Sequence, residues 1–364
     1  MTGLSEDQQA LVGLADDVFA GRTGNDQLAK TELTETRIDE ELWRDLADAG
    51  LVGIGVGEAF GGAGLGLIEV CLLVEAQGRR LAPVPLAETA VAALVLQAFA
   101  PLELQTRWLP GVAQGTVQLA CALDLTGSAA PTVTATPGAE GGWTLHGSLA
   151  FVPRAESADA LLVVALDESG EPALFLVETG APGIIRHPVV TTDHSLAADV
   201  DLEGAAAVRL GGPDAVQGAI DRTRLALAAQ LLGAADAGVR ETALFLSNRE
   251  QFGRPLATFQ ATTQQLGDAY CDVQAQRATL WQAVWALDTA APDARRAVDV
   301  ATWWATDAAQ RVQHTVQHLH GGLGADTTYP VHRRLLWTMR AVSQLGGSSR
   351  QLVRLGRSVL TPGS

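Results

Sequence analysis

Three stretches of the sequence set chemistry-bearing side chains at spacings that chemistry can use. In "HTVQHLH", His314 and His318 share a helix face at i, i+4 and His320 follows two residues on, a spacing that permits metal ligation. No cysteine, and no acid nearer than Asp326, stands ready to complete such a site, so histidines closing a helix are the simpler reading and no metal is expected. "RHPVVTTDHS", Arg186 to Ser195, together with Ser128 supplies the residue types of a Ser/His/Asp hydrolase, but the sequence has no G-x-S-x-G turn to present the nucleophile. The third stretch is "REQFGRPLATFQATTQQLGD", Arg249 to Asp268. Here a guanidinium, which forks onto pyrophosphate oxygens through paired N–H donors, stands three residues before Phe252-Gly253, and Phe259-Gln260 opens the next helix. A simple turn has no need of all these at once. The glycines of "HGGLG" and "GGAGLG" do not follow a strand and open a helix, so a Rossmann dinucleotide site is not indicated. Taken alone, Gly321-Gly322 is the C-cap that many helices carry.

The elements that must position these residues change character twice along the chain. Residues 1–115 read as helices: "LSEDQQALVGLADDVFAG", then "TELTETRIDEELWRDLADAGL" with its cap expected at Thr34 or Thr36, then "GLIEVCLLVEAQGRRLA" closing before Pro83. Residues 116–212 are short alternating or β-branched runs such as "WTLHGSLAFV" and "PALFLVE", punctuated by Pro137-Gly138, Ser169-Gly170 and Pro182-Gly183, the spacing of a small antiparallel barrel or sandwich. Residues 213–364 return to helices. The first runs from Asp214 without proline until Pro255, roughly 50 Å at 1.5 Å per residue. Two more of similar length follow, and long helices with short loops predict a four-helix-type bundle. The fold class is therefore multidomain α+β.

Composition narrows the function from the other side. The 364 residues are 47% hydrophobic, enough for two or three packed units, and 41 acids against 25 bases give a net charge of −16. That field repels phosphate backbones and anionic lipid, so neither nucleic acid nor membrane is an expected partner. Cys71, Cys121 and Cys271 have no metal or disulfide spacing. The N-terminus lacks a basic segment before an apolar core, and the cytoplasm is the expected location.

With these residues in place, the chain resembles the acyl-CoA dehydrogenase family. "RxxFGxPxxxFQxxxxxLxD" from Arg249 and "HGGxGxxxxYPxxR" from His320 are similar to the motifs of its C-terminal bundle, "FGGAGLG" to its N-terminal helical domain, and the central strands complete its α-β-α order. The resemblance implies FAD shared across a subunit interface, with the isoalloxazine on one chain's β domain and the adenosine and pyrophosphate on a neighbour's bundle. By position it assigns Arg249, Gln251, Phe252, Phe259 and Gln260 to that adenosine end, with Gln317, His318, Gly321 and Gly322 as the glycine loop, while Leu266 and Asp268 serve packing. It further implies contact of Asp221 and Arg224 with an acyl-CoA substrate and electron delivery to an electron-transfer flavoprotein.

The departures from the family pattern are as informative. Desaturation needs a carboxylate to take the α-proton of the thioester while the β-hydride goes to the flavin. The two base positions used in the family fall on Leu345 and Thr223, and Glu241 lies roughly 27 Å along its helix from Thr223. The flavin-contacting loop of the family is replaced by "LDLTGSAAP", and its "WIT" strand segment by Phe151-Val152-Pro153, where proline has no N–H to offer. These features imply a non-catalytic subunit that pairs with a homologous catalytic chain, as in actinobacterial α2β2 dehydrogenases that shorten sterol side chains. A homomeric flavoenzyme with an atypical base, for which Asp326 and His332 are the candidates, and a flavin-free acyl-CoA-binding subunit are the alternatives. The arginines 333, 334, 340, 350, 354 and 357 have no acids near them in sequence, which suits phosphates or the acidic faces of neighbouring subunits.

Overall fold

The computed structural model describes residues 3–126, 131–138 and 142–360. The first helix, α1 (Glu6–Ala20), starts at a capping box in which the Ser5 hydroxyl accepts from Gln8 N and the Gln8 side chain accepts from Ser5 N. It is followed by α2 (Asn25–Thr31), α3 (Glu40–Asp48), α4 (Leu67–Arg80), α5 (Leu86–Phe99) and α6 (Leu102–Ala113). The cap of α3 is Asp39, whose carboxylate accepts from Leu42 N at 2.9 Å, not Thr34 or Thr36. Those two hydroxyls instead accept from Arg37 N and Ile38 N in a turn that ends with Arg37 at φ 54°, so the helix cannot begin until the chain has left it. The helix α5 is apolar nearly all round, as a helix buried on every side must be.

The strands are β1 (Leu119–Ala122), β2 (Val133–Pro137), β3 (Trp143–Pro153), β4 (Ala160–Leu166), β5 (Pro172–Glu178), β6 (Ile184–Val190) and β7 (Leu196–Gly211). Their pairings close a ring, β4-β2-β3-β7-β5 and back to β4, with β1 added on β4 and β6 on β7. Closure removes most of the exposed edge that an open sheet would present. The ring is mainly antiparallel, but β4 pairs in parallel with both β1 and β2, which alternation within single strands could not reveal. Its interior holds Val133, Leu145, Leu161, Val163, Phe175 and Val200, and Trp143 meets Phe175 edge-on at 5.5 Å.

Beyond β7 come α7 (Pro213–Asn248), a hairpin of β8 (Glu250–Gln251) and β9 (Arg254–Pro255), then α8 (Gln260–Asp288), α9 (Ala294–Leu319), α10 (Val331–Gln344) and α11 (Gly347–Leu360). The fourth place of the expected bundle is taken by two shorter helices. Gly346 and Gly347, at φ 85° and 75°, break what would otherwise be one helix between α10 and α11. Contacts gather the chain into two compact units, Met1–Leu28 with Cys71–Ala82 and Arg224–Ser364, and Ala29–Val70 with Pro83–Thr223. In the first, α9 packs against α8, α10 and α11. The end of α4 crosses α7 so closely that a Cβ on Gly233 would lie 2.0 Å from Glu75 O, and Gln230 donates to Gln77 in the same contact. Among the described residues no helix is long and apolar enough to cross a membrane.

Candidate cofactor-binding site

At the end of α7 the chain reverses between two backbone anchors. Arg249 N donates to Phe245 O at 2.9 Å, and Leu256 N donates to Arg249 O at 2.8 Å. Between them β8 and β9 pair around Phe252 and Gly253, whose φ values of 54° and 75° are the left-handed pair that a two-residue hairpin turn requires. Glycine adopts that conformation freely; a phenylalanine does so against the interest of its Cβ. Phe252 nevertheless holds it with a ring that is 93% exposed. The ring meets Phe259 edge-on at 6.2 Å, and the Arg254 guanidinium lies 4.1 Å from the Phe259 centroid. Arg249, Gln251 and Gln260 are all exposed on this segment, and the Gln251 carboxamide donates to Glu250 O. Arg254 is a member of this group that sequence reasoning missed, and the signal was the hairpin turn itself. Reversal at Phe252-Gly253 turns the chain back, and residue 254 then faces the ring at 259.

The glycine loop is built in the same unit, where α9 ends. His320 N donates to Val316 O as α9 closes, and Gly321–Ala325 form a single 3-10 turn with Gly321 at φ 60°. A Cβ on Gly324 would lie 2.4 Å from Gln317 O, so only glycine lets the loop fold back on α9, where Gln317 donates to Gly324 O. His318, Gly321 and Gly322 are exposed, and a Cβ on either glycine would meet nothing within 4 Å. Open backbone and uncommitted polar side chains fit the adenosine and pyrophosphate of a dinucleotide that arrives from outside the chain.

Other sequence candidates take structural roles. His320 is buried and stacks on Phe245 at 4.3 Å, and among the described residues no group of three or more His, Cys, Asp or Glu could hold a metal ion. In the hydrolase-like stretch, His187 Nε2 lies 3.0 Å from Asp201 Oδ2 while Ser148 Oγ donates to Asp201 Oδ1 at 2.6 Å. The acid stands between histidine and serine, so no base faces the hydroxyl. Ser128 and the neighbouring part of the "LDLTGSAAP" loop, residues 127–130, lie outside the described residues.

The idea that the C-terminal arginines await phosphates or neighbouring subunits is corrected for three of them. Arg334 forks onto Glu241 through Nε at 2.9 Å and Nη2 at 2.5 Å and also donates to Arg79 O. Arg333 donates to Asn25 Oδ1 at 2.6 Å, and Arg354 donates to Asp299 at 2.7 Å. Their partners are remote in sequence, which is why local charge spacing could not supply them. Arg224 has no exposed surface and donates to Asp299 at 3.3 Å. Asp221 is buried and accepts from Gln217 at 2.7 Å.

Neither Leu345 nor Thr223, the residues that the resemblance sets at the base positions, carries a group that can move a proton. Leu345 is fully buried as the C-cap of α10, its N–H donating to Ala341 O and its carbonyl accepting from Gln351. Thr223 donates back to Ala219 O at 2.8 Å and hydrogen-bonds Cys121, whose thiol burial pushes up to about 12. Asp326 accepts from Thr328 N and Oγ1, bonds that hold its carboxyl below the usual range, and His332 Nδ1 donates to Tyr329 O at 2.7 Å. Glu241 is the partner of Arg334.

The strand segment of the β unit offers little to a flavin. Phe151 sits at φ 52° with its N–H donated to Asp199 Oδ1 at 2.7 Å, Pro153 has no N–H, and Arg154, at φ 60°, donates its own to Leu196 O. A register shift between Leu149 and Val152 accompanies this bulge against β7. The donors that a flavin ring would need along residues 151–154 are absent or already bonded at three of the four positions.

Comparison with known proteins follows the same division. The chain matches the acyl-CoA dehydrogenase N-terminal domain over residues 5–116 and the acyl-CoA dehydrogenase C-terminal domain over residues 211–360. It is 37% identical to the acyl-CoA dehydrogenase FadE27 of Mycobacterium tuberculosis, over 98% of this chain and 97% of that protein. Among solved structures it is similar to a chain of a Tcur3481-Tcur3483 steroid ACAD variant, at 45% identity and a TM-score of 0.94 over 98% of this chain and 99% of that one. It is also similar to a chain of the ChsE4-ChsE5 complex of Mycobacterium tuberculosis, at 37% identity and a TM-score of 0.93 over 100% and 99% of the two chains.

Proposed function

Since the chain belongs to the acyl-CoA dehydrogenase family, we propose that it is the non-catalytic subunit of a heteromeric enzyme of that family, contributing the adenosine and pyrophosphate half of an FAD site to a homologous catalytic chain. The chemistry that FAD would supply there is a hydride acceptor for the substrate's β-carbon. The residues of this chain hold rather than react. In this reading Arg249 forks onto the pyrophosphate, Phe252 and Phe259 face the adenosine, Gln251, Gln260, Gln317 and His318 supply polar contacts, and Gly321 and Gly322 admit the cofactor close to backbone. Asp221 and Arg224, which bond Gln217 and Asp299, stand at the positions that the resemblance assigns to the acyl-CoA substrate.

The observation that carries the proposal is fully buried Leu345 at the position of the family carboxylate. A second support is the saturated strand segment at Phe151–Pro153, set against the open hairpin and glycine loop. Of the similar structures one is a steroid ACAD and another a two-chain complex, which supports a heteromeric assembly acting on a sterol-derived CoA thioester; the reading takes that assembly to be α2β2. Electron transfer to an electron-transfer flavoprotein would fall to the catalytic chain. Asp326 and His332, the bases a homomeric enzyme would need, are oriented by the turn that contains them, His332 with its Nε2 left to accept a proton.

The test is an absorbance scan across the flavin bands, with an acyl-CoA dehydrogenase assay. It is made on the chain expressed alone and on the chain co-expressed with the related chains encoded by neighbouring genes. The reading expects a colourless or flavin-poor, inactive product alone and a yellow, active complex together. A yellow, active homomer from this chain alone would end it.

A further inference from the structure

Two segments that the proposed function places at the cofactor lie far apart in sequence, at 249–260 and 317–322, and a single buried ring connects them. His320 is 4% exposed and is the residue immediately before Gly321. Its imidazole stacks on Phe245 with centroids 4.3 Å apart and planes 25° from parallel, and lies 5.6 Å from the Tyr329 ring. Phe245 in turn carries the hairpin: its carbonyl accepts the Arg249 N–H, and the Arg249 carbonyl accepts from Leu256. The other edge of the imidazole is fixed to α9, where Nδ1 lies 2.9 Å from Val316 O. A carbonyl can only accept, so Nδ1 carries the hydrogen and the ring orientation is set from α9. One side chain thus joins the end of α9, from which the glycine loop leaves, to the end of α7, from which the hairpin leaves.

We propose that His320 is a positioning residue that couples the glycine loop to the hairpin, so that both reach the adenosine end of the cofactor as one rigid element. This rests on the reading that those two loops hold that cofactor. The hairpin has two residues per strand and an almost fully exposed tip, and the glycine loop is a single 3-10 turn with open space over Gly321 and Gly322. A stacked aromatic pair supplies the geometry, and a histidine supplies the hydrogen bond that a phenylalanine could not.

The test is hydrogen exchange on the full chain, read at the amides of Arg249 and Leu256 for the hairpin and of Asp326 for the glycine loop, whose acceptors are Phe245, Arg249 and Leu323. His320→Ala is expected to speed exchange at both segments by about three- to tenfold, the equivalent of losing an aromatic pair. Phe245→Ala should do the same from the other side, loosening the glycine loop as well as the hairpin. His320→Phe keeps the stack and loses the bond to Val316, so it should restore the hairpin amides while leaving the glycine loop fast. Where His320→Ala does not fold, the Phe245→Ala and His320→Phe pair decides. Loosening confined to the mutated residue's own segment in each variant overturns the coupling. Flavin retention by the co-purified complex separates the two ideas: coupled exchange with undiminished flavin in His320→Ala keeps the coupling and removes the cofactor reading on which it rests.

Discussion

The hairpin and glycine loop of the C-terminal unit and the Phe151–Arg154 segment of the β unit are the two regions that should differ least if this chain built a complete flavin site. They differ in opposite directions. At the hairpin, side chains are exposed and a phenylalanine is held at φ 54° with almost its whole ring in water. Strain and apolar exposure together are tolerated where something outside the chain covers them. On the β segment the backbone is equally unusual, with Phe151 and Arg154 both at positive φ, but there the Phe151 and Arg154 N–H groups are already bonded, to Asp199 Oδ1 and to Leu196 O. Strained backbone alone is therefore no sign of a binding site. What separates the two regions is whether the strained segment leaves its polar groups and rings available.

The contrast can be broken or sharpened by mutation, beginning with the largest effect. Leu345→Glu restores the family carboxylate at a fully buried position whose surroundings are built for leucine. It should cost about 3 kcal/mol or more of stability, because the charge is desolvated without a partner, and it should produce no dehydrogenase activity in the chain alone. Denaturant unfolding and a standard dye-linked assay read both; an active, stable variant would mean that the base position is vacant but still serviceable. Next in size, Arg249→Ala should weaken flavin retention by the complex about ten- to a hundredfold, the range expected for a hydrogen-bonded charge, with little change in the melting temperature of an exposed position. Equilibrium dialysis against FAD gives the number. Pro153→Thr provides the opposite control. It returns one N–H to the β segment but leaves the Phe151 N–H on Asp199, so flavin content should stay at the wild-type level; a rise would show that the β half was one residue from function. The smallest effect is chemical. Cys271 is exposed, whereas burial pushes the Cys121 thiol up to about 12, so alkylation of the native protein at pH 8 should label Cys271 and spare Cys121.

How much of this was legible in the sequence depends on the range of the interaction. The family motifs and the order of helices and strands could be read because each is carried by contiguous residues. The hairpin tip was legible as Phe252-Gly253, but the stacking of Arg254 on Phe259 needed the reversal of the chain to be known. The start of α3 was misplaced because several capping residues compete within a few positions, and Arg37 at positive φ, invisible in composition, removes Thr34 and Thr36 from the contest. The arginines were misjudged for a plainer reason. Arg334 finds Glu241 and Arg354 finds Asp299 across the packed helices, and no periodicity along α10 or α11 encodes an acid on another helix. The parallel pairing of β4 with β1 and β2 belongs to the same class of long-range fact.

The central claim is that one half of a shared flavin site is present in this chain and the other half is not. The most direct measurement is the flavin-to-chain ratio of the purified complex, from flavin absorbance after release and amino-acid analysis of each chain. The account predicts about one flavin for every two chains in a symmetric assembly, because only the partner's β unit accepts the reactive ring. One flavin per chain, or a flavin-replete and active homomer of this chain, would contradict it.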